Sequence, residues 1–290
     1  MSDTDLTTPA ARRAGSAKAG LGLAALTAIV VGSMIGSGIF ALPSQMAGSA
    51  APGPLLIGWV VTGLGMLMLA FVFQTLAERK PDVDGGVYGY ARAGFGDYIG
   101  FTSAFGYWMS AWIGNVAYLV LLFSTLGYFF PQFEGGATLS AIIGASILLW
   151  VVHAMTLRGV QTAAFVNVIV TVAKIVPILT FIGIAAVGFK AGLFTADFWG
   201  SRTEIDGQPL GDTLTQVKNM MLVTVWVFIG IEGAAVYSKR AARRRDVGRA
   251  TVMGFLAVLA LLLLVNFLSY GLMEQARLAG LPDHWTASYY

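Results

Sequence analysis

Seven long apolar stretches alternate with short polar segments along the chain, and two of the stretches contain polar or glycine residues at their centre. They cover residues 21–42, 53–77, 97–126, 137–156, 162–189, 217–237 and 251–273. Each is about 20 residues or longer, the length at which an α-helix crosses the hydrocarbon core of a bilayer. The strict alternation of a membrane β-barrel is absent from the sequence. Because lipid offers the backbone no hydrogen-bond partners, the pattern predicts an all-α, polytopic membrane protein with about seven spans.

The composition agrees with this interpretation and argues against several other classes of protein. The chain is 57% hydrophobic and only 11% charged, whereas an average soluble domain is about 25% charged. It has no cysteine, which excludes disulfides and thiolate metal sites. The sequence offers no nucleophile-base pair, phosphate-binding loop or metal-ligand cluster. We therefore expect no enzymatic activity, no metal and no nucleic-acid partner.

The basic residues predict the orientation in the membrane. With the N-terminus in the cytoplasm, the outer segments hold only Lys190, Arg202, Lys218 and Arg277, and Lys174 lies inside the fifth stretch. This asymmetry follows the positive-inside rule, so we expect a multi-pass protein of the inner (cell) membrane. The cytoplasmic segments then hold Arg12, Arg13, Lys18, Arg79, Lys80, Arg92, Arg158, Lys239, Arg240, Arg243, Arg244, Arg245 and Arg249.

The polar N-terminal segment is interpreted as a disordered cytoplasmic tail, residues 1–20, rather than a cleaved signal peptide. The remaining chain is predicted to form a first five-helix repeat over residues 21–189 and an external loop over 190–216. The first two helices of a second repeat are expected over residues 217–273. A loop and a truncated end are expected over residues 274–290.

The two interrupted stretches are the strongest functional signal. The first contains VVGSMIGSGIF at residues 30–40, and the sixth contains Gly230, Glu232 and Gly233. Paired breaks at corresponding positions of two repeats are typical of transporters with inverted repeats, whose ligand binds at the midplane. The alternative is close helix packing, because Gly32 and Gly36 also form a GxxxG pattern.

A broken helix exposes unpaired amides at the start of one half and unpaired carbonyls at the end of the other. A zwitterionic amino acid can bind to both the unpaired amides and the unpaired carbonyls. Its carboxylate can accept hydrogen bonds from the amides around Ser37 and Gly38, and its α-ammonium can donate to carbonyls around Met34, Ile35 and residues 226–229.

Polar and ionisable side chains within the stretches suggest further roles. Glu232 lies inside the second break, where a carboxylate is expected to act as a gate, a proton carrier or a partner for a cation. Lys174 either replaces a coupling ion or only extends toward an aqueous cavity. Trp226 and Asn115 could receive a cationic side chain through cation-π attraction and hydrogen bonding.

Several segments carry a family resemblance: GSMIGSGIFALP, YWMSAWIGNVAYL, LRGVQTAAFVNVIVTVAKIVP and NMMLVTVWVFIGIEGAAVYSKRA. They closely resemble the basic amino acid/polyamine antiporters of the APC superfamily, and among these the bacterial arginine/ornithine antiporters. The resemblance implies a LeuT-like fold, exchange of substrates by alternating access, and no cofactor.

The same resemblance assigns roles to individual residues. It implies that Ser37 and Gly38 hold the substrate carboxylate and that Asn115 contacts the guanidinium group. It implies that Lys174, more loosely, occupies the equivalent of a sodium site. It also implies that Trp226 stacks on the substrate, that Ile229 lines the pocket and that Glu232 is a gating and pH-sensing residue.

One feature departs from the family. Its members have about twelve spans, so we expect this chain to be a truncated product that lacks most of the second repeat. The expected function is exchange of arginine for ornithine, with lysine as a further candidate substrate. Two alternatives stay open: a proton-coupled cationic amino acid symporter, and a membrane fragment or sensor that binds amino acids without transport. A homodimer is also left open.

Overall fold

The computed structural model describes residues 20–36, 38–83, 86–157 and 160–281, without the side chains of 160–168 and 225–226. The predicted N-terminal tail lies outside these residues except for Gly20, as does the end of the chain from residue 282. Along the described chain the first helices are α1 (Leu23–Met34), α2 (Gly38–Ala47), α3 (Pro52–Arg79), α4 (Gly86–Phe95), α5 (Asp97–Leu126), α6 (Leu139–Leu157) and α7 (Val160–Gly188). They are followed by α8 (Ala191–Thr195), α9 (Thr213–Val227), α10 (Gly233–Val236), α11 (Arg244–Tyr270) and α12 (Gln275–Ala279). Short 3-10 turns cover Pro131–Gly136 and Ser238–Arg240, and an antiparallel hairpin pairs β1 (Glu204–Ile205) with β2 (Gln208–Pro209).

The membrane-spanning helices agree with the predicted all-α fold. Among the described residues, α3, α5, α6, α7 and α11 are long and apolar enough to cross a membrane. The helices α1 and α2 meet the same length and composition only as a pair, which bends by 50° at its break and counts as a sixth span if the pair crosses the membrane as one. The predicted stretch 217–237 gives no single helix of that length, because α9 ends at Val227 and a turn separates it from the short α10.

The core lies where α1, α3, α9 and α11 pack together. α3 and α11 run antiparallel, and Gly63 lets Leu259 approach the backbone of α3. α1 packs on α11 at Gly254, where a Cβ would lie 2.6 Å from Val30 Cγ1. Phe228, after α9, fills the centre, with its ring centroid 6.1 Å from Trp59 and 5.3 Å from Phe255. Small residues therefore bring the helices close enough for the aromatic rings to interlock.

At one end of the bundle, side chains from the later half of the chain satisfy the backbone that joins α2 to α3. Gln216 accepts a hydrogen bond from Ala51 N at 2.9 Å and donates to Trp199 O and Gly211 O, both at 3.0 Å. Tyr270 Oη donates to Ala50 O at 2.7 Å. These bonds fasten α2, α3, α9 and the segment that carries the hairpin into one layer. This layer carries Lys190, Lys218, Arg202 and Arg277.

At the opposite end, the start of α1 pairs with the connection between α10 and α11. Leu21 N donates to Arg240 O at 2.7 Å, and Ala242 N donates to Leu21 O at 2.9 Å. α3 ends here and α11 begins here, since the two helices are antiparallel. Most of the basic residues among those described lie at this end, which agrees with the charge asymmetry predicted from the sequence.

Candidate substrate site

The two helix breaks lie in contact with each other. Gly230 has φ +106°, and a Cβ at this position would lie 2.7 Å from the carbonyl carbon and oxygen of Ser33. A Cβ on Gly233 would lie 3.0 Å from Ser33 Oγ. Only glycine allows both this backbone conformation and this close approach at residue 230. The structure thus brings together the two breaks that the sequence predicts to face each other.

The first break separates α1 from α2 and removes regular helical bonding over two described residues. Ile35 N still bonds to Val31 O at 2.9 Å, but Gly36 N turns back to Met34 O at 3.0 Å. α2 then starts at Gly38, which is buried. Ser37, the other residue predicted to hold a carboxylate, lies outside the described residues. Its proposed role rests on the sequence alone.

Lys174 occupies the carbonyl side of this break. From α7, its Nζ donates to Gly32 O and to Ile35 O, both at 2.7 Å. These carbonyls lie at the carboxyl end of α1, where the helix dipole attracts a cation. The Ile35 carbonyl, which the sequence predicts to bind the substrate α-ammonium, thus already accepts a hydrogen bond from the lysine side chain. Both roles considered for Lys174 stay predictions.

Glu232 connects the second break to α5. Its side chain is buried, with 8% exposed. One carboxylate oxygen, Oε2, accepts a hydrogen bond from Gly230 N at 3.0 Å, and the other, Oε1, accepts one from Tyr107 Oη at 3.0 Å. A carboxylate with both oxygens bonded is tolerated away from water. The contact joins the break to a helix that is otherwise peripheral to the core.

A second tyrosine of α5 reaches the first break. A Cβ on Gly36 would lie 3.3 Å from Tyr118 Oη, so the hydroxyl group rests against this glycine. Tyr107 and Tyr118 are three helical turns apart and share one face of α5. The sequence analysis did not assign either tyrosine to the site. Their 11-residue spacing was the available signal, but it does not distinguish a face toward the site from a face toward lipid.

The remaining predicted residues lie at the edge of this arrangement. Asn115 is exposed on α5, and its Nδ2 donates to Ala111 O at 2.9 Å, which leaves Oδ1 as the acceptor that a guanidinium group requires. Ile229 lies in the turn after α9 and is 51% exposed. The side chain of Trp226 is not described, and its backbone forms part of the last turn of α9. The structure therefore gathers Gly38, Lys174 and Glu232 at the breaks and leaves Asn115 and Ile229 on an open side.

Among the described residues, no three His, Asp or Glu side chains are grouped so that they could hold a metal ion. The breaks present four groups: the amides at the start of α2, the carbonyls at the end of α1, the Lys174 ammonium group and the Glu232 carboxylate. These groups suit a small ligand that carries both charges.

Comparison with known proteins places the chain in a family. The family described as amino acid permease matches residues 21–288. The arginine/ornithine antiporter of Pseudomonas aeruginosa is 63% identical over 263 residues, which cover 91% of this chain and 54% of that protein. The arginine/agmatine antiporter of Chlamydia caviae is 46% identical over 94% of this chain and 56% of its own length. The L-lysine transport protein of Corynebacterium glutamicum is 49% identical over 91% of this chain and 52% of its own length.

The chain thus spans about half the length of these relatives. The names of these relatives are those of transporters and not of enzymes, in agreement with the expectation from the sequence. The family match covers both helix breaks and all the residues placed at them. The chain therefore belongs to the amino acid permease family of the APC superfamily.

Proposed function

We propose that this chain forms the part of a cationic amino acid exchanger that holds the substrate between two broken helices. The observation that carries the proposal is the direct contact of the breaks, with Gly230 against Ser33 and with Lys174 and Glu232 bonded on either side. Freed backbone groups at membrane depth are tolerated where they line a cavity or bind a ligand. The names of the relatives support arginine and ornithine as the exchanged pair, with lysine and agmatine as further candidates.

In the proposed mechanism the substrate carboxylate lies at the start of α2. The amides around Ser37 and Gly38 are proposed to donate hydrogen bonds to it, and the helix dipole adds to the attraction. The α-ammonium group binds the carbonyls at the end of α9, near residues 226–229, because Lys174 occupies the carbonyl of Ile35. The cationic side chain of the substrate extends toward Asn115, with Trp226 stacked on it and Ile229 beside it.

Exchange follows if the two sides of the site open in turn. Glu232 holds Tyr107 of α5 against the second break, and release of this bond would open one side of the site. Arginine and ornithine each carry one positive side-chain charge at neutral pH, so exchange moves no net charge across the membrane. The gradients of the two substrates then drive the cycle.

We place the chain in the inner membrane with its N-terminus in the cytoplasm. The end of the bundle that holds the start of α1 also carries most of the basic side chains, and such residues are retained on the cytoplasmic side. Cysteine labelling from either side of the membrane tests this orientation, because the chain has no cysteine of its own.

Uptake of labelled arginine into proteoliposomes tests the function. Vesicles are loaded with ornithine or left empty, and the Pseudomonas aeruginosa antiporter serves as the full-length reference. Acceleration by internal ornithine supports exchange by this chain. Arginine binding without uptake, with exchange retained by the reference, supports the alternative of a binding membrane fragment, and no binding at all contradicts the proposed site.

Proton coupling is the second candidate function, because Lys174 holds the break closed by hydrogen bonds that require its ammonium protons. Loss of one proton would weaken both bonds and could be linked to substrate movement. Uptake into empty vesicles under a pH gradient, abolished in Lys174→Met, would favour this symporter over the exchanger.

A further inference from the structure

A dense group of basic side chains, the basic patch, lies where two membrane-spanning helices end. α3 and α11 are antiparallel, and Gln74 packs on Gly248, so the end of α3 lies beside the start of α11. Around these ends the described residues include eight basic ones and three acidic ones, Glu78, Asp82 and Asp246. The basic patch consists of Arg79, Lys80, Lys239, Arg240, Arg243, Arg244, Arg245 and Arg249.

Most side chains of the basic patch reach the surface. All are exposed except Arg244, which is half-buried. Cations in the first turn of a helix are disfavoured by its dipole, so the charge of Arg245 does not stabilise α11 through the dipole.

The position of the basic patch relative to the membrane indicates which partner it binds. Both α3 and α11 are long and apolar enough to cross the membrane, so their ends lie at the level of the lipid headgroups. Clusters of four to eight basic residues immediately beside a membrane span attract anionic lipids. Six of the eight residues are arginines, whose planar guanidinium groups bind phosphate oxygens in pairs. We propose that the basic patch binds the phosphate headgroups of anionic phospholipids.

The backbone of the basic patch links this lipid site to the first broken span. Arg240 O accepts the Leu21 amide at 2.7 Å, and the Leu21 carbonyl accepts the Ala242 amide at 2.9 Å. A Cβ on Gly20 would lie 2.7 Å from Ala242, so the two segments are in direct backbone contact. A bound headgroup therefore steadies the end of α1 that lies away from the break. Lipid binding itself does not depend on the proposed exchange activity.

Competition between two phospholipids tests the proposal. The purified chain in neutral detergent is offered phosphatidylglycerol and phosphatidylcholine together, and the lipids retained per chain are counted by native mass spectrometry. We expect phosphatidylglycerol to be preferred, with a preference that falls as salt rises. The double variant R243Q/R245Q should retain at least about tenfold less phosphatidylglycerol than the unchanged chain. The matched control K190Q/K218Q removes two exposed lysines at the opposite end and should bind as the unchanged chain does.

A charge-preserving variant separates lipid binding from membrane orientation. R243K/R245K keeps the positive charge that sets the orientation and should keep the preference for phosphatidylglycerol. Equal retention of the two lipids by the unchanged chain would overturn the proposal, as would loss of the preference in R243K/R245K. A preference that survives R243Q/R245Q and disappears in K190Q/K218Q would move the lipid site to the other end. Displacement of the lipid by soluble glycerol phosphate would show a site for free phosphate instead.

Discussion

Replacing Lys174 with methionine should loosen the first helix break. The substitution keeps the length and packing of the side chain but removes two hydrogen bonds, from Nζ to Gly32 O and to Ile35 O. A hydrogen bond with a charged group contributes about 1.5 to 3 kcal/mol, and we take the lower value because the ammonium group is half-buried. The two bonds then contribute about 3 kcal/mol, or about 100-fold in the local opening equilibrium.

Hydrogen exchange measured by mass spectrometry reports this opening directly. Peptides that cover residues 30–38 should exchange about 100-fold faster in Lys174→Met than in the unchanged chain. Peptides from the end of α3 and the start of α11 serve as the internal reference, because these segments pack on each other at Gln74 and Gly248, away from the break. If the whole protein were destabilised, the reference peptides would accelerate as well.

The matched control is Lys218→Met, since Lys218 is an exposed lysine near the start of α9. It should leave exchange at residues 30–38 unchanged. Equal exchange rates at the break in Lys174→Met and in the unchanged chain would refute the reasoning, because the two carbonyl bonds would then contribute nothing to the closed break.

The other predictions concern the second break and the layer that carries the hairpin. Glu232→Leu and Tyr107→Phe should each slow transport while membrane insertion is retained. The double variant should be no slower than the worse single one, because both remove the same hydrogen bond; additive losses in transport assays would contradict a shared bond. Gly230→Ala should abolish arginine binding, because residue 230 has φ +106° and its Cβ would lie 2.7 Å from the Ser33 backbone. The control Gly192→Ala should bind arginine normally, because a Cβ at residue 192 has no atom within 4 Å. Burial of Asp197 tends to raise the pKa of its carboxyl group, but hydrogen bonds from Arg202 N and from Thr203 outweigh this and hold the pKa below its ordinary value. Its carboxylate should therefore stabilise the turn at neutral pH and lose this effect as the pH falls through the lowered pKa. Cleavage within residues 197–203 by an acid protease should accelerate on acidification relative to Asp197→Asn, which lacks the titrating group; equal pH profiles of the two chains would contradict the role of the carboxylate.

The spans and the breaks could be predicted from the sequence because lipid imposes strong local rules. A membrane helix must be long and apolar, and a glycine-rich interruption within it needs a special reason. The interruption predicted at Gly230, Glu232 and Gly233 agrees with the turn at residues 228–232, which separates α9 from α10 and leaves α10 only four residues long.

The partners of the break groups could not be predicted in the same way. Lys174 is 142 residues from Gly32, and Tyr107 is 125 residues from Glu232. Periodicity describes one helix at a time and does not say which faces of distant helices meet. The sequence therefore marked Lys174 as ionisable in a span but left its role open, and it treated Tyr107 as one of several packing aromatics.

The hydrogen bonds at the end of α2 have a consequence for biogenesis. The Ala50 carbonyl bonds to Tyr270, which follows it by 220 residues, and the Ala47 carbonyl bonds to Gln275, 228 residues later. A ribosome that adds about 5 to 20 residues per second needs roughly 10 to 45 s to make the chain between such partners. During that time these two carbonyls of the first span lack their side-chain hydrogen-bond donors. Water or the insertion machinery must satisfy them until Tyr270 and Gln275 emerge, so the first span is inserted early but is completed only after these residues are made.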